Sequence, residues 1–258
     1  MSRICILMYH TVSEPVSADE RRHAIPRRRF ASHMRILRAK GYNLLSLGDV
    51  QNHLLRKKVF PERAVVVTLD DGYADNYTNA FSILQQYQIP ATIFLVNNDL
   101  GGKNRWHRGS ANASRTMLDW GQIREMHAAG IGFGSHTLSH PRLSELPEER
   151  ARTEIVDAKK LLEDRLGAPV DHFAYPYGDL TKQTVDLVRQ ADHTLACTTR
   201  CGFNRVDVDP LLLRRIDVYG TDSSWQLLQK VRFGTNDSGV LQPTRYCLRQ
   251  VATRLLNR

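Results

Sequence analysis

Apolar positions along the chain fall into two rhythms. Short uninterrupted runs, Ile4-Cys-Ile-Leu-Met-Tyr9, Val65-Val-Val-Thr-Leu69 and Ala91-Thr-Ile-Phe-Leu-Val96, read as strands buried on both faces, because a strand with one wet face would alternate. Shorter segments at 131–135, 172–175, 195–198 and 211–218 have the same character. Between them apolar residues recur at helical spacing: Phe30, Met34 and Leu37 before Gly41, the stretches 74–87 and 118–129, and Ala151, Ile155, Ala158 and Leu162 within 148–166. Gly167 and Pro169 close that last helix, and a further one is predicted over 181–191.

Strand and helix alternate from end to end without a low-complexity linker, which predicts an α/β fold with a parallel sheet, open or closed into a barrel. The whole chain, 1–258, reads as one domain. A polar, glycine-rich stretch from Asn97 to Thr116 is expected to be a long loop with a binding role. At about 243–258, after Pro243, Leu248, Val251, Ala252 and Leu255 form an apolar stripe beside Arg245, Arg249, Arg254 and Arg258, predicting a basic amphipathic helix. It either packs on the barrel or lies on an anionic membrane.

In parallel α/β architectures reactive groups collect at the carboxyl ends of strands, whose loops share one crevice. Four strand ends deliver candidates here: His10, Asp70 with Asp71, His136 with His140, and Pro176-Tyr177. Neighbouring strand-end residues point in opposite directions, so Asp70 and Asp71 are not expected to face the core together. One can bind a cation while the other handles a proton, although Asp-Asp-Gly is also good turn chemistry. A helical turn would place His136 and His140 on one face as two nitrogen ligands for a Zn2+-like ion, with Pro141 limiting that turn. A carboxylate and two histidines leave positions open for water and substrate.

The segments Thr68-Leu-Asp-Asp-Gly72, Ser135-His-Thr-Leu-Ser-His140 and Phe173-Ala-Tyr-Pro-Tyr-Gly178 closely resemble the first three signature motifs of the polysaccharide deacetylases of carbohydrate esterase family four, the NodB homology domain. The resemblance covers at least residues 4–218. It implies a distorted (β/α) barrel, a divalent metal held by Asp71, His136 and His140, Asp70 as the base that activates water, and a backbone N–H near Tyr177 for the oxyanion. Two departures stand out. Ala174 occupies the place where the commoner pattern has a base-orienting arginine, so Arg214 or Arg215 would have to supply that charge. No Leu-x-His motif follows Val218, and Leu7-Met-Tyr-His10, similar to the opening of the poly-N-acetylglucosamine deacetylase branch, offers His10 as the general acid instead. Pro176, Tyr177, Trp106 and Arg214 are the residues expected to meet substrate, since aromatic faces commonly floor sugar sites. Trp120 and the remaining histidines (His23, His33, His53, His107, His127, His172, His193) read as packing or surface residues.

The resemblance implies removal of an N-acetyl group from an amino sugar of a polysaccharide or glycoconjugate, with Zn2+ as the first expectation and Co2+ or Mn2+ as alternatives. Two other readings stay open: deacylation of a lipid-linked or nucleotide-linked amino sugar, and a carbohydrate-binding protein without turnover. A net charge of +9, from 36 Lys and Arg against 27 Asp and Glu, suits an anionic partner, a membrane surface among them. Without a zinc-finger, RNP or helix-turn-helix signature it does not predict nucleic-acid binding. Four scattered cysteines argue against a disulfide framework. The apolar stretch 4–9 is too short for a signal-peptide core, so the chain as given is expected to be cytoplasmic, at most peripheral at the inner membrane face.

Overall fold

Strand parity organises the molecule. In the computed structural model, which describes residues 2–106 and 115–239, β1 (Ile4–Tyr9) lies parallel to β3 (Ala64–Leu69), with Ile4 opposite Ala64 and Tyr9 opposite Leu69. Alternate residues of these strands belong to two different cores. Ile4, Ile6, Ala64 and Val66 pack with Phe94, Ala174 and Leu195, whereas Cys5, Leu7, Tyr9, Val65 and Val67 pack with Phe30, Met34 and Leu227 of the surrounding helices. Both faces are therefore buried, which is why these strands carry no polar alternation.

The remaining strands are β2 (Asn43–Leu44), β4 (Ala91–Leu95), β5 (Gly132–Ser135), β6 (His172–Ala174), β7 (Leu195–Cys197) and β8 (Ile216–Asp217). All pair in parallel, in the order β7-β6-β5-β4-β3-β1-β8, with β2 beside the first half of β3 and β4 beside its second half. The sheet curls until its ends approach: Leu213 bridges Cys197 after β7, and Ile216 and Asp217 pair Leu7 and Met8 of β1. This is the distorted (β/α) barrel expected from the motifs.

The helices are α1 (Arg27–Ala39), α2 (Leu47–Leu55), α3 (Ser82–Gln86), α4 (Trp120–Ala128), α5 (Glu148–Leu166), α6 (Lys182–Gln190) and α7 (Ser224–Phe233). Of these α5 has the bounds its periodicity predicts. The helical pattern over 74–87 is realised as a π-helical stretch, Asn76–Phe81, running into α3. The predicted strand over 211–218 is mostly irregular, since one edge pairs β7 and the other β1 at different residues. Three elements went unpredicted: β2, α2 and α7. Both helices start on a serine capping box, Ser46 with Asp49 and Ser223 with Gln226. The basic helix predicted at 243–258 lies outside the described residues. Among the described residues no helix is long and apolar enough to cross a membrane.

Candidate active site

Parity carries His10 and Asp70 to the lumen side, since they continue the series Ile4, Ile6, Met8 and Ala64, Val66, Thr68 beyond the last turn of strand. Asp71 should then face the helices, but its φ of 76° breaks the alternation, and both carboxylates line one cavity of about 400 Å3. The expectation that the two neighbours diverge is corrected by that left-handed residue. Gly72 follows with φ 82°, and a Cβ there would lie 2.7 Å from Leu95 Cδ2, so the turn needs glycine.

His136 and His140 also reach the cavity, though by a different route from the expected helical turn. After β5 the chain turns through left-handed Thr137 (φ 70°) and His140 (φ 59°), with the His140 N–H donating to Thr137 Oγ1 at 3.0 Å. Tyr177, beyond β6, is left-handed as well (φ 59°). Left-handed non-glycine backbone is unfavourable, and here it occurs where side chains must converge. Lys57, Gln88 and Asp192, by contrast, have positive φ at ordinary helix ends.

Asp71, His136 and His140 offer donor atoms that all lie within 4.8 Å of one another. Asp71 Oδ1 is 3.5 Å from His136 Nε2 and 3.4 Å from His140 Nε2. His136 Nδ1 donates to the Ala174 carbonyl at 2.7 Å, which fixes the tautomer and leaves the Nε2 lone pair toward Asp71. A buried set of one oxygen and two nitrogens fits a Zn2+-like divalent ion with positions left open. Burial would push the Asp71 carboxyl up, but the close approach of His136, with His140 and His10 beside it, holds it well below the usual carboxylate range.

Asp70 has a different partner. Arg215 donates from both terminal nitrogens, at 2.6 Å to Oδ1 and 2.7 Å to Oδ2, while its Nε donates to the Thr198 carbonyl at 3.0 Å. Its guanidinium is completely buried. Burial raises the Asp70 pKa, and the Arg215 charge with its paired hydrogen bonds more than offsets that, so the carboxyl stays below its ordinary value. Arg214 is turned outward: it is exposed, donates to the Cys201 carbonyl at 3.2 Å and does not line the cavity, so its expected contact with substrate is corrected. Adjacent residues at the strand start point oppositely, and only the second faces the lumen.

His10 lines the cavity with its Nδ1 buried and unpartnered among the described residues. Its own carbonyl accepts from Asn76 Nδ2 at 2.9 Å, and Asp75 holds the next turn through Val12 N at 2.8 Å and Thr11 Oγ1. The ring of His23 lies 4.6 Å from that of His10, and burial followed by the His10 charge lowers its pKa to about 4. His23 is exposed, as its surface reading expects, and it also lines the cavity beside His10. Arg115 enters the same cavity, bound to Glu20 Oε1 and Oε2 at 2.6 Å each. Neither residue carries a spacing signal, because both arrive on irregular segments.

Tyr177 is 41% exposed, with its ring 4.5 Å from His140 and the Arg142 guanidinium 4.5 Å above it. Pro176 is buried and shapes the turn instead of lining the cavity. Trp106 packs 4.9 Å from His140, at the edge of the described residues, and is not among those lining the cavity, so its expected contact with substrate is corrected too. Gly178 (φ 67°) sits where a Cβ would collide with Thr199, fixing the approach of this turn to the strand beside it. Trp120 is packed against the outer core, as its bland reading has it.

The comparisons with known proteins agree with this arrangement. The family model described as polysaccharide deacetylase matches residues 57–196. YxkH of Bacillus subtilis (strain 168) is 30% identical over 217 residues, 84% of this chain and 72% of that protein. The poly-beta-1,6-N-acetyl-D-glucosamine N-deacetylase of Staphylococcus aureus (strain MSSA476) is 27% identical over 184 residues, 68% of this chain, which spans 61% of that enzyme. Among solved structures, Streptococcus pyogenes deacetylase PplD in complex with acetate superposes with a TM-score of 0.76 at 27% identity, covering 89% of this chain and 98% of that one. IcaB from Ammonifex degensii gives 0.77 at 28% identity, covering 90% and 98%. The chain belongs to the polysaccharide deacetylase family.

Proposed function

We propose that this protein is a metal-dependent N-deacetylase that hydrolyses the N-acetyl group of an amino sugar within a polysaccharide. The observation that carries the reading is the division of labour between neighbours: Asp71 meets two histidines, while Asp70 is clamped by Arg215. Similarity to the staphylococcal N-deacetylase supports the substrate class. Asp71, His136 and His140 would hold the ion, Zn2+ or, on the same donor set, Co2+ or Mn2+. When bound, such an ion polarises the amide carbonyl and acidifies water.

The chain's own groups then do the rest. Asp70, kept ionised by Arg215, takes a proton from the attacking water as it adds to the amide carbon. The Tyr177 backbone N–H stabilises charge on the carbonyl oxygen. His10, facing the same cavity, gives a proton to the leaving nitrogen as the C–N bond breaks, releasing acetate and a free amine. Asp75 and Asn76 position His10 through the bonds to its carbonyl and to the following turn. Tyr177, which lines the cavity, offers a ring face to the sugar.

An acetate-release assay across N-acetylglucosamine oligomers, polymer, and lipid-linked and nucleotide-linked forms tests the reading, after chelation and with Zn2+, Co2+ or Mn2+ restored. Release from the glycans that requires an ion is the expected result. A metal-loaded protein that releases no acetate from any of these, or a chelated one with full activity, overturns it. Preference for a linked form would move the substrate and keep the mechanism. His10→Ala should lower kcat by about 10^2 to 10^4 with metal content unchanged; an unaltered rate and pH profile would remove His10 from the mechanism.

A further inference from the structure

A second cavity, of about 560 Å3, opens at the opposite end of the same strands. Arg3 stands just before β1 and Arg63 just before β3; Lys40 ends α1, and Arg232 comes from α7. No carboxylate is among the described residues that line it. The catalytic cavity differs, setting its arginines against Glu20, Asp70, Asp71 and Asp217.

Two of the four cations lie over aromatic rings. The Arg3 guanidinium lies 3.7 Å from the Phe203 ring centroid, and Arg63 lies 4.6 Å from that of Tyr42. Arg3 also donates to the Arg232 carbonyl at 3.3 Å, and a guanidinium over a ring can still present an N–H edge to paired oxygens. Arg63 is also left-handed, with φ 54°, a conformation that costs energy and recurs in this chain at the reaction centre. Trp225, 47% exposed, adds an aromatic face to the wall. Four like charges around one hollow repel one another, and an anion seated among them would relieve that repulsion.

We propose that this far-end cavity binds a phosphate group, as a mono- or diester, whose organic body rests on Trp225. A carboxylate would engage one arginine; a phosphoryl group has the charge and the oxygens to engage several. The volume lies within the usual range for small-ligand sites, roughly 300 to 1,000 Å3, and exceeds what phosphate alone needs. A six-residue strand spans about 20 Å, so the ligand acts away from the reacting atoms. The proposal does not rest on the deacetylase reading.

Calorimetric titration of the full chain with inorganic phosphate and with glucosamine 6-phosphate tests it, beside flotation with vesicles of phosphatidylglycerol and phosphatidylcholine. The variants are Lys40→Gln/Arg63→Gln, both exposed positions, and Arg3→Gln/Arg232→Gln. Saturable binding that weakens at least tenfold in the variants, with cooperative melting and acetate release unchanged, supports the site. Binding of the soluble phosphates identifies a free ligand, and binding of vesicles alone identifies a lipid headgroup. Should one pair of substitutions impair folding, the other decides. No saturable binding of any probe, or equal binding by wild type and a folded variant, overturns the proposal.

Discussion

Two buried ion pairs, Asp70 with Arg215 and Asp222 with Lys230, have nearly the same burial and opposite electrostatic outcomes. Arg215 grips both oxygens of Asp70 and adds a bond to the Thr198 carbonyl, so the carboxyl is held below its ordinary pKa. Lys230 offers a point charge to Asp222 Oδ2 and spends another proton on the Asp217 carbonyl at 2.9 Å. Burial dominates there, raising Asp222 and lowering Lys230. The difference lies in the cation: a planar fork that does not deprotonate keeps a carboxylate charged in a dry site, whereas an ammonium leaves both partners strained. One pair suits proton transfer; the other fastens α7 to the end of β8.

Removing the charge of each pair should break that contrast most sharply. Asp70→Asn is expected to lower kcat by about 10^2 to 10^4 while metal content stays near stoichiometric, and Asp71→Asn to lose the ion itself. Metal analysis beside acetate release separates the two, and equal behaviour of both variants would refute the assignment. Lys230→Met leaves Asp222 buried without its cation, with only the Tyr219 N–H still donating to it, a loss of about 3 to 5 kcal/mol in urea denaturation. Its kcat, measured where the variant is folded, should match wild type.

Acid distinguishes the pairs next. His33 sits in the second pair's surroundings, its Nε2 at 2.8 Å from the Asp222 carbonyl and its Nδ1 at 3.2 Å from the Tyr9 hydroxyl. Burial lowers its pKa from 6.5 to about 4. The unfolded chain thus takes up the proton first, and stability present above pH 6.5 is lost as pH falls toward 4, by up to about 3 kcal/mol from this group. The Asp70 pair, with its depressed carboxyl, should lose its contribution only below the ordinary carboxylate pKa. Denaturant midpoints in wild type and His33→Gln check this; identical pH slopes would exclude His33. The smallest effect is expected from Arg215→Lys, about 10- to 100-fold in kcat, with the acidic limb of the pH profile moved upward as Asp70 loses its second hydrogen bond. An unmoved limb would mean that the fork is unnecessary.

What the sequence made legible follows the same division. The chemistry-bearing residues at strand ends, Asp70, Asp71, His136 and His140, were readable because uninterrupted apolar strands point at them and three motifs agree. Their geometry was not. Left-handed φ at Asp71, Thr137 and His140 overrides both the alternation of a strand and the pitch of a helix, and no residue among them is glycine to announce it. Arg214 and Arg215 could not be separated before the register of Leu213 through Asp217 was known. His23 and Arg115 reach the cavity from irregular segments with no period to betray them. The helices α2 and α7 carried a capping signal, Ser-x-x-Asp and Ser-x-x-Gln, that a search for start residues would have found.

Barrel closure has a consequence for when this protein becomes competent. The stretch from Leu213 to Asp217 joins β7 on one side to β1 on the other, and Arg215 projects from the middle of that join. Asp71, His136 and His140, which the proposed function assigns to the ion, are all translated well before it. A chain in which that stretch is undocked would leave Asp70 without its clamp. On the proposed function, sealing the seam would both complete the fold and give the base its clamp, so a chain whose last strand has not docked would bind an ion without being primed to hydrolyse.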